Sequence, residues 1–370
     1  MWTILDVNSG NQWDIFCRVI DNYGDIGVCW RLAVGLAARC QQVRLWVDDA
    51  DALRWMAPRG ASGVEVKAWD DARHAESVLI GDVLVEAFGC EIEPEFKAAF
   101  SRKMQTTGQR ACWINLEYLS AESYVARCHG LPSPVMAESG HWVQKHFFYP
   151  GFRADTGGLL READLEAQQD RFQRDVWLRD QAISHTGERL ISLFCYEPVA
   201  LSVLLTQLAN DLVRTRLLVT AGRATSAVKT CVEQKNDSNP AWNQQRRLEL
   251  TFLPTLSQID FDRLLWSCDL NVVRGEDSLV RALWANKPFI WQIYPQADDA
   301  HHVKLEAFLT LIDAPASLRR WHQVWNGVRA GPLPALALDE WQPVVSTARA
   351  QQLSEPDLVT RLINFVQKNR

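Results

Sequence analysis

The chain has 370 residues, of which 47% are apolar and 23% charged, and its formal net charge is −6. This length is too great for one ordinary core and predicts two domains of roughly 150–180 residues. The acidic balance and the lack of a long basic run argue against nucleic acid or an anionic membrane as a partner, and no apolar run approaches the ~20 residues of a membrane span.

The cysteine pattern points to a reducing compartment. The nine cysteines form no C-x-x-C pair, and an odd number cannot all pair within one chain. The start of the sequence also has no signal peptide. Reduced thiols in a cytoplasmic protein are therefore expected.

The first half alternates short apolar segments with helical patterns. A strand is predicted from Trp13 to Ile20, followed by a loop at 21–25 and a helix from Ile26 to Cys40. Further strands are predicted at residues 43–47, 64–67, 82–86 and 111–115. Buried strands that alternate with helices predict a parallel α/β domain over residues 12–150.

The second half repeats this pattern after a polar stretch, 151–187, which is predicted to be a linker. Strands are predicted at residues 189–194, 216–220, 248–252, 269–273 and 288–291, with a solvated loop from Glu233 to Gln245. This gives a second α/β domain over 188–355. The helical segment 356–370 is expected to join the first domain. Two Rossmann-like domains with a cleft between them place ligands beyond the carboxyl ends of the strands.

Residues 274–278, Arg-Gly-Glu-Asp-Ser, lie between a predicted strand and a predicted helix. Gly275 permits a tight turn, and Asp277 or Ser278 is expected to cap the helix. Helix N-termini bind phosphate, and Arg274 adds a fixed positive charge. Phosphate would repel Glu276, so this carboxylate is expected to contact a sugar hydroxyl or steady a catalytic aspartate. The alternative is a simple capped turn.

The loop after the first strand carries Asp21 and Asp25 around Asn22 and Gly24. One carboxylate could accept a proton while the other holds the loop. An Asx turn at Asp21 and a helix cap at Asp25 explain the same residues without catalysis. The loop matches neither G-x-G-x-x-G nor a P-loop, which excludes both nucleotide fingerprints.

Aromatic residues follow the strands of the second half. Phe194 and Tyr196 end its first strand, and Tyr294 and Gln296 follow a later one, so they are candidates to line the same cleft; core packing is the alternative. Glu117 is a weaker candidate in the first half. No metal site is expected, since adjacent His301 and His302 on a helix would point about 100° apart.

A phosphate-binding second half and a carboxylate loop in the first half favour a two-domain, metal-independent glycosyltransferase of the GT-B type. The helix end would stabilise the departing nucleoside diphosphate, and Asp25 would act from the other wall of the cleft.

At these residues the chain resembles the EarP family, the protein-arginine rhamnosyltransferases that modify bacterial translation elongation factor P. The matching segments span most of the chain in order: Phe16–Val28, Asn115–Ser120, Gln144–Phe152, Arg274–Ser278 and Ile293–Gln296. The resemblance implies a GT-B fold and no cofactor, with dTDP-β-L-rhamnose as co-substrate. The product would be an α-rhamnosyl arginine on elongation factor P, formed with inversion, which activates that factor to relieve ribosome stalling at polyproline.

The resemblance also implies roles for individual residues. Asp25 would be the general base, Asp21 would support its loop, and Glu276 would be required for activity. The implied donor-binding residues are Asn22, Tyr23, Gly24, Phe194, Tyr196, Phe252, Gln258, Arg274, Gly275, Asp277, Ser278 and Tyr294. Among these, Tyr196, Arg274, Asp277 and Ser278 would bind the diphosphate and Gln258 would recognise thymine. The family's base-stacking aromatic is replaced here by Thr255, and Phe252 is the candidate substitute.

Three other functions fit parts of the pattern. A glycosyltransferase acting on a lipid or another acceptor would need an apolar docking patch with basic neighbours, which the sequence does not support. A nucleotide-sugar-binding adaptor would not need Asp25. An epimerase of similar two-domain build would need no protein acceptor.

Overall fold

The computed structural model describes residues 10–19, 23–77, 79–108, 112–136, 142–295 and 299–369. The chain divides into two compact units. Unit 1 comprises Met1–Ala163 and Glu355–Arg370, and unit 2 comprises Asp164–Ser354. The division after Ala163 falls inside the stretch 151–187 that the sequence predicts as a linker.

Unit 1 is built on a sheet whose described strands are β1 (Gln12–Cys17), β2 (Gln42–Val47), β3 (Val64–Ala68), β4 (Val83–Ala87), β5 (Cys112–Leu116), β6 (Pro132–Met136) and β7 (Trp142–Phe148). Their spatial order is β3-β2-β1-β4-β5-β7-β6, and only the β6–β7 pair is antiparallel among them. The order reverses between β1 and β4. Ligands of open α/β sheets bind at such a switch point, beyond the carboxyl ends of the strands.

Helices cover both faces of this sheet. Those before the division are α1 (Gly24–Ala37), α2 (Leu53–Met56), α3 (Pro94–Thr107) and α4 (Tyr124–Cys128), with a 3₁₀ segment at Trp69–Ser77. Strand β1 shows why both faces are apolar. Trp13, Ile15 and Cys17 pack on one face with α1, whereas Phe16 packs on the other face with α3. Alternate side chains of a strand point to opposite faces, so a continuous apolar run is needed here.

One charged residue, Asp14, is fully buried in β1. Its carboxylate accepts hydrogen bonds from Arg44 Nε and Nη2, both at 2.7 Å, and from Trp46 Nε1 at 2.9 Å. The backbone N–H of Gly81 adds a fourth at 2.8 Å. Asp14 and Arg44 are register partners on β1 and β2, so the ion pair fixes the alignment of the two strands.

Unit 2 contains a parallel sheet of β8 (Arg189–Leu193), β9 (Thr215–Val219), β10 (Leu248–Phe252), β11 (Leu270–Arg274) and β12 (Phe289–Gln292). The described strands lie in the order β10-β9-β8-β11-β12. The accompanying helices are α5 (Leu165–Arg171), α6 (Arg174–Asp180), α7 (Leu201–Ala209), α8 (Arg223–Ser238), α9 (Gln258–Ser267), α10 (Gly275–Ala285), α11 (Ala300–Leu311), α12 (Ala316–Trp325) and α13 (Leu338–Leu353).

The chain returns to unit 1 in its final helix, α14 (Leu358–Asn369). Leu358, Val359, Leu362 and Val366 of this helix are buried in the same core cluster as Trp13 and Ile15 of β1. A hydrogen-bonded ion pair of 2.7 Å between Arg39 Nη2 and Asp357 Oδ2 ties the start of the helix to the end of α1. Unit 1 is therefore assembled from two separate pieces of the chain.

The structure departs from the sequence prediction in two places. Helix α8 continues to Ser238, so the first part of the predicted loop Glu233–Gln245 is helical; its polar residues form the solvated face of a helix. The pair β6–β7 was not predicted. The apolar spacing within the predicted linker favours a surface helix, and the structure has two helices there, α5 and α6, both in unit 2. None of the helices in the described ranges is long and apolar enough to cross a membrane.

Candidate active site

The strand-to-helix turn predicted at 274–278 is present, but its capping differs from the prediction. Arg274 ends β11 in extended backbone (φ −133°, ψ 160°) and occupies the N-cap position of α10, where its side chain forms no capping hydrogen bond. Gly275 is already the first helical residue, at φ 66°. Asp277 and Ser278 therefore lie in the first turn and not at the N-cap position. The abrupt start is possible because glycine enters the left-handed region at little cost.

One hydrogen bond holds this turn, and the side chain of Tyr196 lies close to it. The indole Nε1 of Trp291 donates a 2.8 Å hydrogen bond to the carbonyl oxygen of Gly275. A side-chain carbon at position 275 would lie 3.7 Å from the phenol oxygen of Tyr196. The start of α10 is thus held from β12 on one side and approached by the segment after β8 on the other.

The guanidinium of Arg274 is buried among aromatic rings. Its central carbon lies 4.4 Å from the ring centre of Phe194 and 4.6 Å from that of Tyr196. Nη1 donates to the carbonyl oxygen of Cys195 at 3.3 Å. Because cation–π contacts favour a planar, weakly hydrated cation, this environment suits arginine and holds its charge beside the start of α10.

Tyr196 connects the aromatic and charged groups. Its backbone N–H donates to Gln292 Oε1 at 2.8 Å, and its ring meets that of Tyr294 edge-on at 5.5 Å. The guanidinium of Arg223 lies 4.8 Å from the same ring. Arg223 forms an ion pair with Glu197 and, by donating hydrogen bonds to that carboxylate, lowers its pKa. Two arginine side chains therefore converge on Tyr196.

The first turn of α10 carries two acidic residues and a serine. Glu276 forms a hydrogen-bonded ion pair with Lys304 of α11, and the two side chains are 23% and 20% exposed. The hydroxyl of Ser278 donates to the carbonyl oxygen of Arg274 within the helix, so it would have to rotate to donate to a phosphate. Sequence reasoning missed Lys304, because no local pattern relates residues 28 positions apart on different helices.

The remaining predicted donor-binding residues of unit 2 lie near ends of its strands and helices. Phe252 is the last residue of β10 and is 41% exposed, with Lys229 Nζ 5.4 Å from its ring centre. Gln258 is the first residue of α9, directly after the N-cap Ser257. All five described strands run parallel, so their carboxyl ends lie at one edge of the sheet. Phe252 and Arg274 are the last residues of their strands, and Phe194 and Tyr294 closely follow theirs, so all four are near that edge.

In unit 1 the predicted base, Asp25, is the second residue of α1 and is 5% exposed. Tyr23 precedes the helix with φ 75° and packs edge-on against Trp55 at 5.5 Å. Gly24 begins the helix, and a side-chain carbon there would meet nothing within 4 Å. Asp21, Asn22 and Gln296 lie outside the described residues.

Two buried thiols, Cys29 and Cys90, have raised pKa values. A hydrogen bond with Cys17, burial, and the charge of Asp25 raise the pKa of Cys29 well above its usual range. Burial also raises the pKa of Cys90 to about 12. Cys29 and Cys90 therefore stay protonated at neutral pH and are poor nucleophiles. All nine cysteines are free.

Glu117 lies directly after β5, at the carboxyl edge of the unit 1 sheet. Burial raises the pKa of its carboxyl group, while a 2.7 Å hydrogen bond from Asn115 Nδ2 opposes that shift. The neighbouring Glu86 accepts hydrogen bonds from Lys145 Nζ at 3.1 and 3.2 Å. The edge of unit 1 thus carries acidic groups, in contrast to the arginines of unit 2.

Within the described ranges, one set of potential metal ligands comes together, namely Asp299, His301 and His302, with ligand atoms within 4.8 Å of one another. The sequence predicted that the two histidines would point in different directions. Their ring centres are nevertheless 4.1 Å apart, so the two side chains lie close together at the start of α11. His302 Nδ1 lies 3.8 Å from the Asp299 carboxylate, a contact that an ion pair also explains.

Comparison with known proteins identifies the family. The family model described as "Elongation-Factor P (EF-P) rhamnosyltransferase EarP" matches residues 13–367. The chain belongs to the EarP family. A relative from Pseudomonas aeruginosa, named protein-arginine rhamnosyltransferase, is 43% identical over 379 residues, covering 96% of this chain and 98% of the relative. A relative of the same name from Shewanella oneidensis is 38% identical, covering 98% and 99%.

Solved structures agree with this assignment. One, described as the structural basis for EarP-mediated arginine glycosylation of translation elongation factor EF-P, has a TM-score of 0.65 and 32% identity, and covers 97% of this chain and all of that one (100%). A glycosyltransferase from Rickettsia africae has a TM-score of 0.51 at 10% identity and covers 97% and 98%, a likeness in fold alone. The EarP chain thus has the GT-B fold that its sequence predicts.

Proposed function

We propose that this protein transfers L-rhamnose from dTDP-β-L-rhamnose to an arginine side chain of translation elongation factor P, with inversion at the sugar. Membership of the EarP family over residues 13–367 carries this proposal. The acceptor implies a cytoplasmic location, since elongation factor P acts in translation.

The donor diphosphate is assigned to the start of α10. Gly275 lets the helix begin directly after β11, so that its first N–H groups and its dipole favour an anion there. Arg274, held between two aromatic rings, adds a fixed positive charge. As the sugar–oxygen bond breaks, negative charge grows on the diphosphate, and prepositioned donors of this kind stabilise the transition state.

The same reasoning makes the reaction metal-independent in this proposal. In other phosphate-transferring sites a divalent cation neutralises the leaving group. Here Arg274 and the helix N-terminus supply positive charge on chain atoms.

The nucleoside is assigned to residues of unit 2 that flank this turn. Gln258, at the start of α9, offers an amide that can pair with the donor and acceptor groups of thymine. Phe252 has an exposed ring at the end of β10, as base stacking requires.

Proton acceptance is assigned to Asp25, with Asp21 supporting its loop. A guanidinium has a pKa above ~12 and a delocalised lone pair, so it is a poor nucleophile. A buried carboxylate within hydrogen-bond reach can orient one nitrogen and accept its proton as the carbon–nitrogen bond forms. The sugar then passes through an oxocarbenium-like transition state, as in glycoside chemistry generally.

The deciding experiment is intact-protein mass spectrometry of elongation factor P after incubation with this protein and dTDP-β-L-rhamnose. We expect one deoxyhexose increment. Asp25→Asn should abolish it while leaving dTDP binding intact, and Asp71→Asn, at an exposed aspartate of unit 1, should leave it unchanged. Measurable dTDP binding without any increment would reject this acceptor or sugar and favour another acceptor or an adaptor. Transfer by Asp25→Asn at the wild-type rate would reject the base.

A further inference from the structure

Glu276 poses an electrostatic problem at the proposed donor site. It lies in the first turn of α10, where the N–H groups attract anions, and a carboxylate there competes with the diphosphate for the same groups. The structure pairs this carboxylate with Lys304, and about four-fifths of each side chain is buried. Partial burial limits screening by water and salt, so the pair is stronger than a surface ion pair.

Lys304 is held in place by the packing of its own helix. Phe308, four residues further along α11, lies on the same helix face, and its ring meets that of Trp291 edge-on at 5.4 Å. The indole of Trp291 donates to the carbonyl oxygen of Gly275. One tryptophan therefore contacts both α11 and the first residue of α10, which fixes Lys304 relative to the turn that carries Glu276.

We infer that Lys304 is a positioning residue, which draws the Glu276 carboxylate toward α11 and neutralises it, leaving the start of α10 to the donor diphosphate. This inference rests on the proposed donor site. Glu276 is thereby kept beside the sugar-bearing end of the donor without repelling its phosphates. The ion pair with Glu276, rather than the sequence motif, assigns this role to a residue outside the Arg-Gly-Glu-Asp-Ser segment.

Removal of the positive charge should free the Glu276 carboxylate to interact with the helix N-terminus. Lys304→Met should then weaken dTDP binding roughly tenfold, and should also lower kcat, because a misplaced Glu276 no longer meets the transition state. Lys304→Arg keeps the charge and should recover most of both losses. Lys235→Met, at a partly buried lysine of α8, is the matched control and should change neither quantity.

A double-mutant cycle tests whether Lys304 acts through Glu276. Calorimetric dTDP affinities would be measured for the wild type, Lys304→Met, Glu276→Gln and the double variant, with circular dichroism to verify folding. We expect Lys304→Met to weaken binding in the wild type and to have no effect once Glu276 is uncharged. A Lys304→Met variant that binds dTDP as the wild type does, or the same loss in both backgrounds, would overturn the inference.

The binding cycle needs no acceptor, so its result is separate from that of the transfer assay. If the wild-type protein binds dTDP but modifies no elongation factor P, the proposed function is rejected. The coupling between Lys304 and Glu276 in dTDP binding can still be measured in that case. With transfer present, an unchanged kcat in Lys304→Met would reject the positioning role.

Discussion

Arg274 illustrates how the surroundings of one side chain decide what it can do. Its guanidinium lies against two rings and donates to a backbone carbonyl. A lysine ammonium has no plane to stack and is more strongly hydrated, so it loses more on entering such a site.

We therefore expect Arg274→Lys to weaken dTDP binding about tenfold or more, although the formal charge is kept. Isothermal titration calorimetry gives the measurement. Arg214→Lys, at an arginine that is 53% exposed and paired with Glu249, should bind dTDP normally. Equal affinities for Arg274→Lys and wild type would show that charge alone matters at this position.

The sequence predicted local features of the candidate site better than contacts between distant residues. A strand, a glycine and a helix that meet within five residues predicted the turn at 274–278, because each signal is local. The environment of Arg274 was not predictable in this detail, since Phe194 and Tyr196 follow a different strand, β8. Lys304 was missed for the same reason.

At the scale of the strand, the buried pair of Asp14 and Arg44 aligns β1 with β2. Replacement of Asp14 by alanine would leave the arginine charge buried without its carboxylate. We expect Asp14→Ala to lower the free energy of unfolding by about 3–5 kcal/mol.

Urea denaturation followed by fluorescence measures this loss. The comparison is Asp155→Ala, which removes an ion pair with Arg153 whose two side chains are each 55% exposed, and which should cost far less because water and salt screen the pair. Similar losses in the two variants would mean that burial does not set the strength of the Asp14 pair.

His322 gives β12 and α12 a pH-dependent contact. The Trp291 backbone N–H donates to His322 Nε2 at 3.0 Å, so Nδ1 carries the proton that is shared with the Leu318 carbonyl oxygen. Burial lowers the pKa of His322 to about 4, below the 6.5 of an exposed histidine.

The unfolded chain therefore binds a proton more readily than the folded chain between these values, and stability falls as pH drops from 6.5 toward 4. We expect His322 to contribute a loss of about 2 kcal/mol between pH 7 and pH 5. His322→Gln, which can accept from the same N–H without titrating, should lower stability at pH 7 but show a smaller pH dependence. An identical pH dependence in wild type and variant would exclude His322 as the source.

Element prediction succeeded where apolar runs were continuous and failed where they were not. Five of the six residues of β1 are buried, so its continuous apolar run was enough to predict a strand. In contrast, β6 has two prolines and alternates exposed with partly buried residues, which resembles a loop. The end of α8 is polar on all sides, so only its hydrogen bonds show that it is helical.

At the scale of the whole molecule, unit 1 depends on a helix that follows unit 2 in the chain. Leu358, Val359, Leu362 and Val366 fill the core beside α1, and Phe365 packs edge-on against Phe148 at 5.7 Å. Their removal would expose the apolar surface that they cover.

We expect a chain truncated after Ser354 to lose amide hydrogen-exchange protection in β1, β2 and α1. Removal of only the last two residues of the chain should leave protection unchanged, because the buried cluster residues Leu358, Val359, Leu362 and Val366 all precede them. Full protection in the longer truncation would show that the first 163 residues fold without α14.

The return of α14 also sets an order of events at the ribosome. Every residue of unit 2 is synthesised before α14, so unit 2 can complete its core while unit 1 still lacks part of its own. Until α14 emerges, the nascent chain carries an open apolar groove beside α1, the kind of surface that chaperones bind. The amino-terminal half of this protein is thus made first and finished last.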